Sequence, residues 1–139
     1  MPRLPKVALL TEDALQADAL REMLQEHLAL THITSFLELE KRSWDGQIDA
    51  LFCDWHFGKN GWKEALENVR ARHPDLPVIF LSRTGGEREW MEVLDAGAFD
   101  LLVPPYSAVS LLAVVEHAAA SRMARQWQSE TLIGGGRRA

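Results

Sequence analysis

The sequence has one cysteine, no internal repeat, no low-complexity block before its last residues, and no apolar run long enough to cross a membrane. Cys53 therefore cannot close an internal disulfide. The opening MPRLPKVALL holds too short an apolar stretch for a secretion signal or a membrane span, so a cytoplasmic location is the expectation. Positive charge is also scarce. Fifteen Lys and Arg against twenty Asp and Glu leave a net charge of -5, which argues against a general nucleic-acid or membrane-surface binder. The five histidines lack metal-like spacing and the five tryptophans are scattered, so both sets read as packing or surface residues, with His56, two residues past Asp54, as the exception. Proteins or small ions remain as expected partners. With 139 residues, 47% of them hydrophobic, the chain can build one domain with a proper core but not two comfortable ones.

What is present is an alternation of short apolar runs with segments of helical period. KVALLT (Lys6 to Thr11) reads as a buried strand, and Leu20, Met23, Leu24 and Leu28 then recur at spacings of three and four, as one helix face requires. HITSF (His32 to Phe36) reads as a weaker second strand, followed by a short helix through Leu37 and Leu39 that WDGQ ends. DALFC is the third strand. KEALENVRAR is a helix that must stop near His73, because Pro74 disfavours helical geometry in the residue before it. PVIFLS is the fourth strand, GEREWMEVLDAG a helix closed by Gly97, and AFDLLV the fifth strand. SAVSLLAVVEHAAASRMARQW is a long last helix with Ser107 as its N-cap. Continuous apolar strands separated by helices imply a parallel sheet covered on both faces. The expected fold is a five-stranded, doubly wound α/β domain over residues 1–128, with 129–139 as a flexible, glycine-rich tail or the start of a linker.

In such sheets, ligands bind at the carboxyl ends of the strands, where the strand order reverses. The stretch DALFCDWHFGKNGW delivers Asp54 to such an end. Thr11, Glu12 and Asp13 follow the first strand, Ser82 ends the fourth, and Pro104 and Pro105 follow the fifth. An Asp at a strand end also serves as a turn or cap residue, and Glu12 or Asp13 before a helix also favours the macrodipole without any metal. Cys53, on the opposite pleat from Asp54, reads as a small core hydrophobe.

These pieces together resemble the receiver domain of bacterial two-component response regulators, the flavodoxin-like, CheY-like fold, over roughly Lys6 to Arg122. FCDW is similar to the segment that carries the phosphoacceptor aspartate, and VIFLS to the strand ending in Ser or Thr. DAGAFDLLVPPYS is similar to the helix end, fifth strand and Lys-Pro turn. The resemblance implies a phosphoprotein switch rather than an enzyme. Asp54 would accept a phosphoryl group from a histidine kinase or phosphotransfer protein, needing no general base because a carboxylate is already ionised at neutral pH. Mg²⁺ would offset the repulsion between the anions, held by Asp54, Glu12, the His56 backbone carbonyl and, in another register, Asp13. Ser82 would hydrogen-bond a phosphoryl oxygen. A homodimer through the last two helices and strands is an implied partner. No helix is left over to enter a DNA groove, and no membrane contact is expected.

The chain departs from the pattern at several positions. Pro104 stands where a lysine ammonium would pair with the phosphoryl group, and Arg83 or Lys59 are the cations left to replace it; Arg83 could equally obstruct access. The acidic pair reads as Thr11 and Glu12 in the register that keeps the first helix's apolar face, and as Glu12 and Asp13 after a slip of one residue. Leu101 occupies the place of a switching aromatic, and the loop after Asp54 is one residue short. Two readings follow: a phosphorylatable receiver, or a pseudo-receiver that engages a partner regardless of phosphate.

Overall fold

The computed structural model describes residues 4–41, 48–83 and 86–135, with side chains as far as Ala124. Its elements alternate: β1 (Lys6–Leu10), α1 (Ala14–Leu24), β2 (Ala29–Ile33), α2 (Phe36–Lys41), β3 (Ala50–Asp54), α3 (Trp62–Arg72), β4 (Val78–Leu81), α4 (Glu87–Asp95), β5 (Asp100–Leu102) and α5 (Ala108–Gly135). The strands form one sheet in the order β2-β1-β3-β4-β5, and every pairing is parallel. Among the described residues no helix is long and apolar enough to cross a membrane.

Strand periodicity divides the core in two. Val7, Leu9, Phe52, Ile79 and Leu81 cluster with Leu20 and Leu24 of α1 and with Leu111 and Val115 of α5. The alternate residues Ala8, Leu10, Leu51, Cys53 and Phe80 cluster with Leu39, Leu66, Val69 and Val93 of α2, α3 and α4. Successive side chains of a strand point to opposite faces, so a strand covered on both sides must be apolar throughout. Burying each Leu or Phe stabilises the fold by about 1.5–3 kcal/mol.

Local chemistry sets the helix ends. α3 stops before Pro74 at His73, whose N–H donates to the Val69 carbonyl at 2.7 Å. Ser107 Oγ accepts the Ser110 N–H at 3.1 Å and caps α5 as expected. Gly97 follows α4 at φ +107°, a backbone that side chains rarely adopt, and a Cβ there would run into the Arg70 guanidinium. That guanidinium donates to the Gly97 carbonyl at 3.0 Å, tying α3 to the turn.

Three expectations are corrected. β2 is Ala29–Ile33, three residues earlier than HITSF at its start, because pairing begins with Lys6 opposite Ala29, and Ser35 instead caps α2 by accepting the Glu38 N–H at 3.1 Å. On α1 the buried residues are Ala17, Leu20 and Leu24, whereas Met23 lies toward solvent. α5 continues to Gly135, so the first part of the expected tail is helical; nothing in Ser129–Ile133 breaks a helix before the glycines. WDGQ, the expected stop of α2, falls outside the described residues.

Candidate functional site

The sheet order reverses between β1 and β3, and this is where the carboxyl ends bring polar residues together. Leu10 pairs with Cys53 and Asp54 with Leu81, so Thr11 and Ser82, the next residues of β1 and β4, flank Asp54 on either side.

Asp54 is half-buried and held at both oxygens. Its Oδ1 accepts the His56 backbone N–H at 3.0 Å, and its Oδ2 accepts the Thr11 hydroxyl at 2.9 Å. Thr11 is fully buried. Gln16 Oε1 lies 3.1 Å from the same hydroxyl, but a hydroxyl has one proton and the carboxylate is the stronger acceptor. The register question is thereby answered: Thr11, not an acid, touches Asp54. Glu12 follows it on the same rim with its side chain exposed.

Asp13 is committed elsewhere. Its Oδ1 accepts the backbone N–H groups of Leu15 at 3.0 Å and Gln16 at 3.1 Å, which makes it the N-cap of α1. Its Oδ2 accepts Arg83 Nη2 at 2.8 Å. The pattern Asp13-x-x-Gln16 before an apolar run is a helix-start signal that points to this role. Lys59 and Pro104 are both exposed, and Pro104 brings no charge to the site. Leu101 is buried in the core, as is Cys53, whose thiol is pushed well above the ordinary range by burial and then by the Asp54 charge. That thiol stays protonated, in keeping with a core hydrophobe.

Ser82 is buried, and its backbone N–H donates to the Leu102 carbonyl at 2.9 Å. Its own carbonyl accepts the hydroxyl of Tyr106 at 3.2 Å. Sequence reasoning missed Tyr106, the chain's single tyrosine, two residues past Pro104. Burial pushes its hydroxyl up to about 12, the Asp54 charge acts in the same direction, and Arg83 opposes both. The folded state thus holds Tyr106 neutral after the unfolded chain, near the ordinary value of 10, has ionised. Its contribution to stability is present below pH 10 and lost as the pH rises toward about 12. Tyr106→Phe is expected to remove that part of the alkaline loss, seen as a flatter dependence of the urea midpoint on pH; an unchanged slope would refute it.

A Mg²⁺ ion fits the chemistry of this rim in one way. Mg²⁺ is usually held by one or two protein carboxylates and completed by waters and phosphate oxygens. Asp54 and Glu12 would be the two carboxylates to hold it, with the His56 carbonyl in the turn after β3, whereas Asp13 is withdrawn by its cap and its ion pair. Among the described residues no group of three or more His, Cys, Asp or Glu gathers to make a richer cage.

A doubly wound parallel sheet in the order 2-1-3-4-5 defines the flavodoxin-like class of single-sheet domains, and in this one Asp54 stands at the carboxyl end of the central strand. The response regulator receiver domain model matches residues 7–116. The chain belongs to the response regulator receiver domain family. It is 31% identical over 116 residues to the phosphate regulon transcriptional regulatory protein PhoB of Rhizobium meliloti, covering 81% of this chain and 51% of that protein. A chemotaxis protein CheY homolog of Campylobacter jejuni is 29% identical over 62 residues, 43% of this chain and 48% of its own length. The matches thus span about half the length of each relative. In fold, the chain is similar to a receiver domain protein from Clostridium thermocellum (TM-score 0.75, 18% identity, 86% of this chain and 98% of that one). It is also similar to NtrX from Brucella abortus (TM-score 0.78, 19% identity, 96% of this chain and 30% of that one).

Proposed function

We propose that this receiver domain is a phosphorylation switch in which Asp54 accepts a phosphoryl group from a histidine kinase or phosphotransfer protein. The observation that carries the reading is the carboxylate itself, at the end of the central strand, half-buried and fixed by Thr11 and the His56 N–H. One Asp54 oxygen attacks phosphorus, the new P–O bond forms as the donor's P–N bond breaks, and the departing imidazole takes a proton from water. The two hydrogen bonds aim the carboxylate and restrict its rotation, so its orientation is set before the donor arrives. Bound Mg²⁺ would supply charge neutralisation, with Asp54 and Glu12 as its protein carboxylates. Ser82, the residue after β4, would be the hydroxyl partner of a phosphoryl oxygen. The domain acts as an acceptor rather than a turnover catalyst, and it operates where its kinase does, in the cytoplasm.

The partner surface is assigned to α4, β5 and the start of α5. Trp90, Met91, Val103 and Val109 remain exposed there, and a second copy of the chain is one candidate to cover them.

The test is exposure of the full chain to a small acyl phosphate with Mg²⁺, read by intact mass. The parent is expected to gain one phosphoryl group, and Asp54→Ala none. Pro104→Lys, which returns an ammonium to the turn after β5, is expected to raise the rate by up to about tenfold, equivalent to about 1.4 kcal/mol. If parent and Pro104→Lys both lack an Asp54-dependent mass gain at saturating donor and Mg²⁺, the pseudo-receiver is the correct reading.

A further inference from the structure

The ion pair between Arg83 and Asp13 has an unusual path. Arg83 follows Ser82 at the end of β4, and Asp13 caps α1 just past the end of β1. β3 lies between those two strands, with β1 on one side and β4 on the other. Neighbouring strands are roughly 4.8 Å apart, so β1 and β4 are separated by about 10 Å, within reach of an extended arginine. A guanidinium that starts from β4 and touches Asp13 at 2.8 Å must arch over the carboxyl end of β3. Asp54 is the residue at that end.

A second relation ties the same groups together. Asp54 binds the Thr11 hydroxyl, Thr11 accepts the Asp13 N–H at 3.1 Å, and Asp13 holds Arg83. Tyr106, on the opposite flank, feels the charges of both Asp54 and Arg83, so all three share one neighbourhood. The Arg83 side chain is 69% exposed, held to the described residues by its contact with Asp13. Its bond to Asp13 is a surface ion pair of low cost to exchange.

We infer that Arg83 is the phosphoryl-binding cation of this domain, exchanging its bond to Asp13 for one to the phosphoryl group on Asp54. The inference rests on the phosphoacceptor reading above. Arginine suits the task because its guanidinium carries several N–H donors in one plane, so it can bind a phosphoryl oxygen while its charge offsets the new dianion. It also accounts for the tolerance of proline at position 104: the cation enters from β4, the strand beside the acceptor, and none is needed from the turn after β5, one strand further out. Loss of the Arg83 bond leaves Asp13 still capping α1 through Oδ1, so phosphorylation frees one carboxylate oxygen at the α1 rim without unwinding the helix.

The experiment titrates the full chain with beryllofluoride at fixed Mg²⁺, following bound fluoride by ¹⁹F NMR and intrinsic tryptophan fluorescence, since Trp55 adjoins Asp54. Arg83→Gln is expected to raise the half-saturating concentration about tenfold, the loss of about one charge-assisted contact. Arg83→Lys should lie between the two, and Pro104→Lys should restore binding in the Arg83→Gln background. Asp13→Asn keeps a helix cap but releases the guanidinium, so it is expected to bind beryllofluoride more tightly than the parent. A parent that takes up no beryllofluoride, or takes it up equally as Asp54→Ala, overturns the phosphoacceptor reading and this inference with it. A parent that binds while Arg83→Gln binds equally well, or that Pro104→Lys fails to rescue, overturns the role of Arg83 alone. Weaker binding by Asp13→Asn would place Asp13 among the metal's ligands and sink the exchange.

Discussion

Phe80→Ala is expected to lower the unfolding free energy by about 3–5 kcal/mol, the range for truncating a buried aromatic side chain. Phe80 lies on the central part of β4 and is fully buried. Its ring meets Trp55 edge-on at 6.0 Å and Trp62 at 5.9 Å, while those two indoles stack on each other at 5.2 Å. Edge-to-face pairs of this kind add stabilisation beyond the area they bury. A domain's whole stability is about 5–15 kcal/mol, so this one change removes a large share of it. The site should feel it too. Trp55 follows Asp54 directly, and its N–H donates to the Leu81 carbonyl at 2.9 Å, so the packing of Phe80 and the placing of the acceptor are linked through one residue. Urea unfolding followed by far-UV circular dichroism measures the effect independently of the indoles. A loss below about 1 kcal/mol would mean that the cluster collapses to refill the space and is not the rigid support described here.

The architecture was legible because parallel strands buried on both faces leave a local mark. VALL, ALFC and VIFL are uninterrupted apolar runs, and each became a central strand. β2 was misplaced because it lies at the sheet's edge, pairs on one side alone, and shares His32 and Ile33 between two plausible registers; only its pairing to Lys6, far away in sequence, decides between them. On α1 the apolar pattern favours Met23 over Ala17 because a small side chain carries little weight in it, yet close packing against the sheet buries Ala17.

The site divides in the same way. Asp54 and Ser82 were visible as polar residues closing apolar strands, and the spacing of the glycine-alanine turn and the prolines supported them. The contacts that define their surroundings were not visible. Thr11 meets Asp54 across 43 residues, and Arg83 meets Asp13 across 70. No periodicity encodes such pairs. Arg83 stands out in the sequence as a cation that could replace the lysine or obstruct access, but its path over β3 depends on the strand order. Tyr106 gave no pattern at all, because a lone aromatic after two prolines looks like any loop residue.

Thr11→Asp is expected to make the domain less stable without Mg²⁺ and to bind Mg²⁺ about tenfold more tightly than the parent, a difference of about 1.4 kcal/mol. Thr11 is fully buried and donates to Asp54 at 2.9 Å. An aspartate there replaces a hydrogen-bond donor with a second acceptor, so two carboxylates meet where one carboxylate and one hydroxyl met before. Without a cation, the pair disfavours double ionisation, and one member's affinity for a proton rises above its unfolded value. The sign of the pH dependence follows. A carboxyl whose folded pKa is raised destabilises the fold above that pKa, so the metal-free variant should gain stability as the pH falls through the upper titration of the pair. A divalent cation removes the same repulsion from the other direction. Added Mg²⁺ should therefore raise the variant's urea midpoint more than the parent's, by an amount that follows binding to the folded state alone. The parent keeps a lower affinity because its Thr11 hydroxyl satisfies the Asp54 oxygen without bringing a second negative charge for the cation to offset. Two measurements decide it: unfolding midpoints with and without Mg²⁺ at neutral pH, and the same pair at mildly acidic pH, where the variant's deficit should shrink. If Thr11→Asp loses stability equally with and without Mg²⁺, the cation does not reach this part of the rim, and Asp54 and Glu12 are the wrong place to look for it.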